Sequence, residues 1–395
     1  MCAATVYDAA AYDKMPGLPP RSFPHEIVMS EPALADRPLP GVLHVDVAYD
    51  WGDEIDLTQA AKLAPSEAQG LLRRPRTPAS IGYHPAPLRF PLPALKLELP
   101  GCGPITAALE ATVFDFGGVN ARVDVPLSVE PEVWRRLADD QATFGEIIRQ
   151  TKAAVAPLYQ RLLPAIRDAE WGDVGEEYFV FHFQPDDLPP IDRLLAESAE
   201  WLASLVRLES DVLSKDETAE ALRQRLRYSP RDLVIVDWAA AVIIDVDCEE
   251  TLRTMEFANL QLLEFRHLER RLGDSLDKAY GLIHRAMSSS SLFGTASNKS
   301  LRALGDLRME TEVMFERAGN AFQLVGDQYL ARLYRLLAER FHLGEWSGSI
   351  RQTLDVVEGV YQVLADQASA HRIEIMELIV IVLIAVEIVL SLIHG

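Results

Sequence analysis

The sequence predicts an α+β protein that closes with helices. Three observations carry this reading: short β-like runs alternate with helical ones from Gly41 to about Cys248, strand signals stop at Glu249, and the 21 residues Ile373–Ile393 contain no Pro, Gly, Lys or Arg. A helix of about 20 residues is what a ~30 Å hydrocarbon layer requires, so this ending reads as a C-terminal transmembrane helix.

Residues 1–40 are punctuated by Pro16, Pro19, Pro20, Pro24, Pro32, Pro38 and Pro40 and show little apolar period, which predicts a disordered, Pro-rich arm. VLHVDVAY (Val42–Tyr49) then alternates as a strand does, and DLTQAAKLA makes a short helix capped by Asp56 or Thr58. Pro75–Pro104 reads as an irregular, Pro-rich connection. Ala111–Leu127 alternates again and breaks at Gly117-Gly118, a hairpin signal because adjacent glycines supply positive φ. A helix is expected over Pro131–Arg149.

The same order then recurs: strand EEYFVFHF (Glu176–Phe183), helical stretches Ile191–Leu208 and Glu217–Arg227, a hairpin in Asp232–Val246, and a helix from Glu249. Asp115-Phe116 and Asp237-Trp238 occupy matching places in the two hairpins. A duplicated strand, helix, hairpin, helix unit would put helices on one face of an antiparallel sheet.

Past Cys248, helices fit Glu249 to about Ala286, Lys299–Leu343, and Ser347 to the end. In the last, Ile350, Leu354, Val357, Tyr361, Leu364, Ala368, His371 and Ile375 advance by alternating four and three, a seam for a partner helix. That seam forms either a coiled-coil stalk running into the apolar ending or a helical hairpin with Lys299–Leu343. The expected organisation is an arm (1–40), an α+β domain (41–248), a helical bundle or stalk (249–372) and a transmembrane helix (373–393).

Composition narrows the function. A formal net charge of −21 argues against a nucleic-acid coat, which works by neutralising phosphates. Cys2, Cys102 and Cys248 match neither a zinc spacing nor a disulfide framework, and the first residues have no secretory or transit pattern. The bulk of the chain is therefore expected in the cytoplasm, held by a single membrane pass.

Within the apolar ending, Glu374 and Glu377 lie near its start, and Glu387 lies deep inside. A carboxyl at that depth is costly unless it faces a partner, so Glu387 points to several such helices packed together in a homo-oligomer. Arg266, Arg270 and Arg271 on one helix, with Arg332 and Arg335 on the next, make a candidate face for a protein or ribosome partner. Glu264, Glu269 and Glu339 interleave with them, and ion pairs within the bundle are the plainer account.

Other signals read as structure. Val113–Gly118 lacks both phosphate-loop patterns and is a hairpin turn. His182 sits between Phe181 and Phe183 with no second His or carboxylate at ligand spacing, so it reads as an outward-facing strand residue and not a metal ligand. Asp245, Asp247, Glu249 and Glu250 could attract a divalent ion, but acidic residues also favour the first turn of a helix. No nucleophile with its base, paired-carboxylate site or cofactor fingerprint is present, so no enzyme, cofactor or metal is expected.

Glu256–Leu272, Tyr228–Asp245, Val325–Leu343 and above all HRIEIMELIVIVLIAVEIVLSLI resemble the YagE-like family of unknown function, which includes the Required for Meiotic Nuclear Division proteins. The resemblance runs from about Gly41 to the end, with Glu374, Glu377 and Glu387 where that family's final helix has them. It implies a membrane-associated, homo-oligomeric protein without known catalysis, whose mitochondrial relatives support translation at the inner membrane. The expected function is thus a membrane-anchored oligomeric scaffold or tether. The other reading is a homo-oligomer with a buried C-terminal helix whose α+β domain binds a small regulatory ligand or carries an unrecognised activity.

Overall fold

The computed structural model describes residues 34, 37–64, 69–70, 81–83, 85–172, 175–288, 305, 309, 322–324 and 328–394. The expected arm over 1–40 therefore lies almost wholly outside the described residues, as does most of the helix expected over Lys299–Leu343.

In chain order the strands are β1 (Leu39–Asp50), β2 (Glu54–Ile55), β3 (Gln69–Gly70), β4 (Ile81–Tyr83), β5 (Leu88–Leu99), β6 (Gly103–Val113), β7 (Gly118–Val129), β8 (Ile166–Arg167), β9 (Glu176–Phe183), β10 (Arg225–Leu226), β11 (Leu233–Val236), β12 (Ala240–Ile244) and β13 (Phe322–Leu324). The helices are α1 (Leu57–Leu63), α2 (Pro131–Ala138), α3 (Gln141–Leu162), α4 (Ile191–Glu197), α5 (Ala199–Arg207), α6 (Lys215–Ala221), α7 (Glu249–Ser288), α8 (Gln328–Arg340) and α9 (Leu343–His394).

Nine strands form one sheet in the order β10-β11-β12-β9-β1-β7-β6-β5-β3. The α+β class stands, but the sheet is mixed: β12 runs parallel to β9, while the other pairs are antiparallel. Helices also cover both faces and not one. On the first, α3 packs on β5 and β7 and α5 on β12; on the second, α7 crosses β1, β7 and β9 while α8 lies on β10 and β11. Each face is half of a three-layer stack, and each needs helices because a sheet this wide buries apolar side chains on both sides.

The mixed pairing also corrects the duplication. Both halves place the second hairpin strand beside the leading strand, β7 by β1 and β12 by β9, but the first pair is antiparallel and the second parallel. The extra strand β10 runs alongside in the sense of β9, so β11 begins level with Phe183 at the end of β9, the second hairpin enters with the opposite sense and the halves are not copies of one unit.

Local signals account for most boundaries. Asp56 caps α1, its Oδ1 accepting from the Gln59 N–H at 3.0 Å. Gly117 has φ +99°, and a Cβ there would lie 1.7 Å from the Gly52 carbonyl oxygen, so the β6–β7 turn requires glycine. The helix expected over Pro131–Arg149 is two helices, broken where Asp140 accepts from the Thr143 N–H at 3.0 Å and starts α3. The connection expected over Pro75–Pro104 contains β5: Pro91 and Pro93 are tolerated because, among the described residues, its outer edge meets only the two residues of β3 and its register slips between Leu92 and Leu95.

In the second layer α9 begins on the predicted seam. Ile350 and Val357 are buried, Leu354 packs beside them, and Ser349 Oγ donates to Glu269 Oε1 of α7 at 2.7 Å. The seam therefore meets α7; its side chains from Leu364 on lie outside the described residues.

Among the described residues, no helix is long and apolar enough to cross a membrane. This overturns the expected C-terminal transmembrane helix, and with it the tail anchor and the single-pass membrane placement.

Candidate metal centre

Alternation along β1 sends Leu43, Val45 and Val47 to the first face and His44 and Asp46 to the second. Register then decides their neighbours. His44 lies opposite Asp124 of β7 and Val180 of β9, and Val42 lies opposite His182, so His44 and His182 are diagonal neighbours on one face. Their rings stack with centroids 5.7 Å apart. The chain leaves β12, turns through Asp245–Asp247 and starts α7; Cys248, whose carbonyl accepts the Leu252 N–H at 2.8 Å, sits at that start directly over the two imidazoles.

All three residues are buried, with exposures of 6% for His44, 9% for His182 and 8% for Cys248. One ligand atom from each lies within 4.8 Å of the others. The hydrogen bonds show which nitrogens keep a lone pair. His44 Nδ1 is 2.7 Å from Asp124 Oδ1, and His44 Nε2 is buried with no hydrogen-bond partner. His182 Nε2 is 3.0 Å from the Asp245 carbonyl oxygen, which can only accept, so Nε2 carries the proton and Nδ1 the lone pair. That Nδ1 is 3.4 Å from Cys248 Sγ.

Two imidazole lone pairs and a sulfur therefore converge, each imidazole oriented by an oxygen on its far side, as metal-binding histidines usually are. Zinc bonds of ~2.0–2.1 Å to nitrogen and ~2.3 Å to sulfur place tetrahedral donors ~3.3–3.6 Å apart, a range the His182–Cys248 pair already meets. The site lies on the strands and one helix start, which fix its ligands more rigidly than loops would.

The electrostatics keep His182 and Cys248 neutral without an ion. Burial lowers the His182 pKa, helped by the neighbouring His44, so the ring stays unprotonated. Burial pushes the Cys248 thiol up to about 12, opposed by the Arg122 guanidinium. Burial alone would raise Asp124, but the hydrogen bond from His44 with the charges of Arg122 and Arg89 outweighs it and holds the carboxyl below its usual range. A cation entering the centre would supply the charge that favours thiolate over thiol.

Beside the centre the same face continues polar. Arg122 Nε donates to Asp46 Oδ1 at 2.9 Å, and its Nη2 reaches the Leu252 carbonyl at 3.2 Å and Glu256 Oε2 at 3.4 Å, both on α7. Asn120 Nδ2 donates to Asp46 at 2.7 Å, and Arg89 bridges Glu110 at 3.2 Å and Glu249 at 3.0 Å.

The residues singled out from the sequence lie elsewhere. Arg266 pairs with Glu176, Arg271 Nη1 donates to Asp53 at 2.7 Å, and Arg270, Arg332 and Arg335 are exposed. Arg266 is ~27 Å along α7 from Cys248. Glu377 and Glu387 are exposed on α9, and the Glu374 side chain lies outside the described residues. His182, expected to face outward as a strand residue without a ligand partner, is buried with His44 beside it, because α7 covers the face that alternation marks as outer. The polar residues of LHVDV and FHF on apolar strands, with a cysteine just before a helix, were the available signal. Nothing in their sequence spacing shows that they meet.

Known proteins give the chain a family but no activity. It matches the family model described as "Uncharacterized protein MJ0711, N-terminal domain" over residues 40–250, a segment holding His44, His182 and Cys248. Uncharacterized protein MJ0711 of Methanocaldococcus jannaschii is 23% identical over 219 residues, which is 55% of this chain and 66%, just under two thirds, of that protein. No solved structure matches the chain. On the extent of the family match, the chain belongs to the family of unknown function defined by the N-terminal domain of MJ0711.

Proposed function

We propose that this chain is a metal-binding protein whose α+β domain holds one ion of the zinc class through His44 Nε2, His182 Nδ1 and Cys248 Sγ. The observation that carries the reading is the burial together of His44, His182 and Cys248, one ligand atom of each within 4.8 Å of the others, with His44 Nε2 left without a hydrogen-bond partner. Borderline nitrogen donors with one soft sulfur suit zinc and its late first-row neighbours, and not magnesium or calcium, which take oxygen. Three protein ligands leave one position for water or a small molecule, the arrangement of zinc sites that act on or sense a ligand. In this reading the ion is the small ligand of the α+β domain.

The test is metal content and affinity of the full chain by competition with a chromophoric chelator. The wild type is expected to bind one Zn(II) tightly. His44→Ala, His182→Ala and Cys248→Ala should each lose at least tenfold to a hundredfold in affinity. Wild type that binds no stoichiometric zinc, nickel or copper would dispose of the proposal.

A second reading, assembly of several copies through α9, has one observation in its favour. Val380, Ile381, Val382, Leu383, Ile384 and Val386 are consecutive or nearly so and exposed, which leaves apolar surface on every side of the helix. A single partner helix covers one side, so burying all of them takes a bundle of at least three copies. Light scattering that shows a monomer, or assembly unaltered by Leu383→Lys, would end this reading. The narrower affiliation with the YagE-like and Required for Meiotic Nuclear Division proteins is likewise a proposal, carried chiefly by the chain's ending. It falls if alignment to those proteins leaves Glu374, Glu377 and Glu387 unmatched.

A further inference from the structure

We infer that the metal centre is a clamp: the ion fastens the start of α7 to the sheet, so that loading controls how firmly the whole second helical layer is docked. The inference rests on the metal reading above and adds to it what the ion regulates.

The donors belong to two bodies. His44 and His182 are built into the central strands β1 and β9, each paired on both sides, and cannot leave without breaking the sheet. Cys248 immediately precedes α7 and its carbonyl accepts the first helical N–H, from Leu252, so it moves with the helix start; the four residues Asp245–Cys248 join α7 to β12. An ion held by all three donors therefore exists only while α7 is seated, and the unseated state keeps two nitrogens at most. Binding confined to the seated state stabilises that state by mass action.

The rest of the α7 contact shows why a clamp has an effect. Much of it is polar: Arg122 holds the Leu252 carbonyl and Glu256, Asn259 Nδ2 donates to the Glu176 carbonyl at 3.0 Å, Arg266 pairs with Glu176, His267 Nδ1 lies 3.1 Å from Asp50, and Arg271 holds Asp53. Such groups regain water when the helix lifts, so each contributes far less net than its gross strength. Apolar contacts remain around Phe257, Leu260 and Leu263 and where Leu252, Met255 and Ala258 meet Val180 and Ile243. Whatever seats α7 also seats the start of α9, because Ile350 and Val357 pack in the second layer and Ser349 is tied to Glu269. The first layer shares none of the three donors.

The test is amide hydrogen exchange on the full chain, stripped with chelator and then held at Zn(II) 100-fold above its measured dissociation constant. Exchange within 249–272 and 343–358 is expected to slow ~100-fold, as the factor 1 + [L]/Kd requires when opening unseats α7. Exchange within α3 (141–162) should be unchanged. Cys248→Ala, shown to be folded by unchanged α3 protection, should lose the response. Stoichiometric zinc binding with no change in α7, or equal slowing of both layers, would overturn the clamp while leaving the metal site in place. Absence of zinc binding would overturn both.

Discussion

The two faces of the sheet solve the same burial problem with different chemistry. On the first, Phe179, Phe181 and Phe183 of β9 meet Phe144 of α3 and Trp134 of α2, with Phe144 stacked on Phe179 at 4.1 Å and Trp134 edge-on to Phe183 at 5.1 Å. On the second, His44 and Asp46 of β1 and Tyr178 and His182 of β9 are held by hydrogen bonds to Asp124, Asn120, Arg122 and the Asp237, Ala240 and Asp245 carbonyls, and Arg122 carries the network on to Leu252 and Glu256 of α7. The first face gains its stability from area removed from water and is indifferent to solutes. The second adds a buried polar network to its apolar contacts, so removing one member, or adding one ion, has a large effect. That difference points to the second face as the functional one.

The largest expected effect breaks the network. Arg122→Met leaves Asp46 and Glu256 buried without their counter-charge and should cost about 3–5 kcal/mol in urea unfolding. Adding Asp46→Leu and Glu256→Met should recover most of the loss. Phe181→Ala on the first face should cost a similar ~3–5 kcal/mol through its cavity, with no recovery from the same added changes. Equal behaviour of the two faces would dissolve the contrast.

A smaller effect sharpens it at the centre. Asp124→Asn keeps shape but weakens the orienting bond to His44, and zinc affinity should fall ~10–100-fold in chelator competition. An unchanged affinity would remove Asp124 from the site.

Proton linkage gives a third. Burial, with Asp50 and Asp53 nearby, raises the Glu264 carboxyl well above its ordinary value, against the Arg271 charge; His267 faces the same group through Asp50. Between the ordinary glutamate value and the raised one, the folded state binds the proton that the unfolded state has released. Stability from this group is therefore full below about pH 4.5 and falls as pH rises through the raised value. Glu264→Gln should remove that decline, stabilising the protein more at pH 8 than at pH 4 in thermal melts; an equal shift at both would contradict the assignment. The smallest effect belongs to the first layer, where Asp140→Ala removes the cap of α3 and should cost ~1 kcal/mol without altering zinc binding.

Much of the fold was legible because its causes are local. Alternation in VLHVDVAY and EEYFVFHF gave β1 and β9, Asp56 marked the start of α1, and Gly117-Gly118 marked a turn that only glycine fits. The β5 strand was hidden by Pro91 and Pro93, whose penalty disappears at a sheet edge, and edge position is a tertiary fact. The candidate centre was not legible. His44, His182 and Cys248 each look like a single polar residue in a locally sensible place, and the ending that dominated the sequence carries none of them.

By itself, then, the sequence determined the α+β class, many element boundaries and the helix from Glu249, since hydrophobic period and capping act over a few residues, whereas β13, paired with β4, falls inside the helix expected over Lys299–Leu343. Tertiary structure decided which way β12 runs, which face α7 covers, and that two histidines and a cysteine meet beneath it. Those outcomes depend on strand register and layer order, which put residues far apart in the chain within bonding distance and which no local period records.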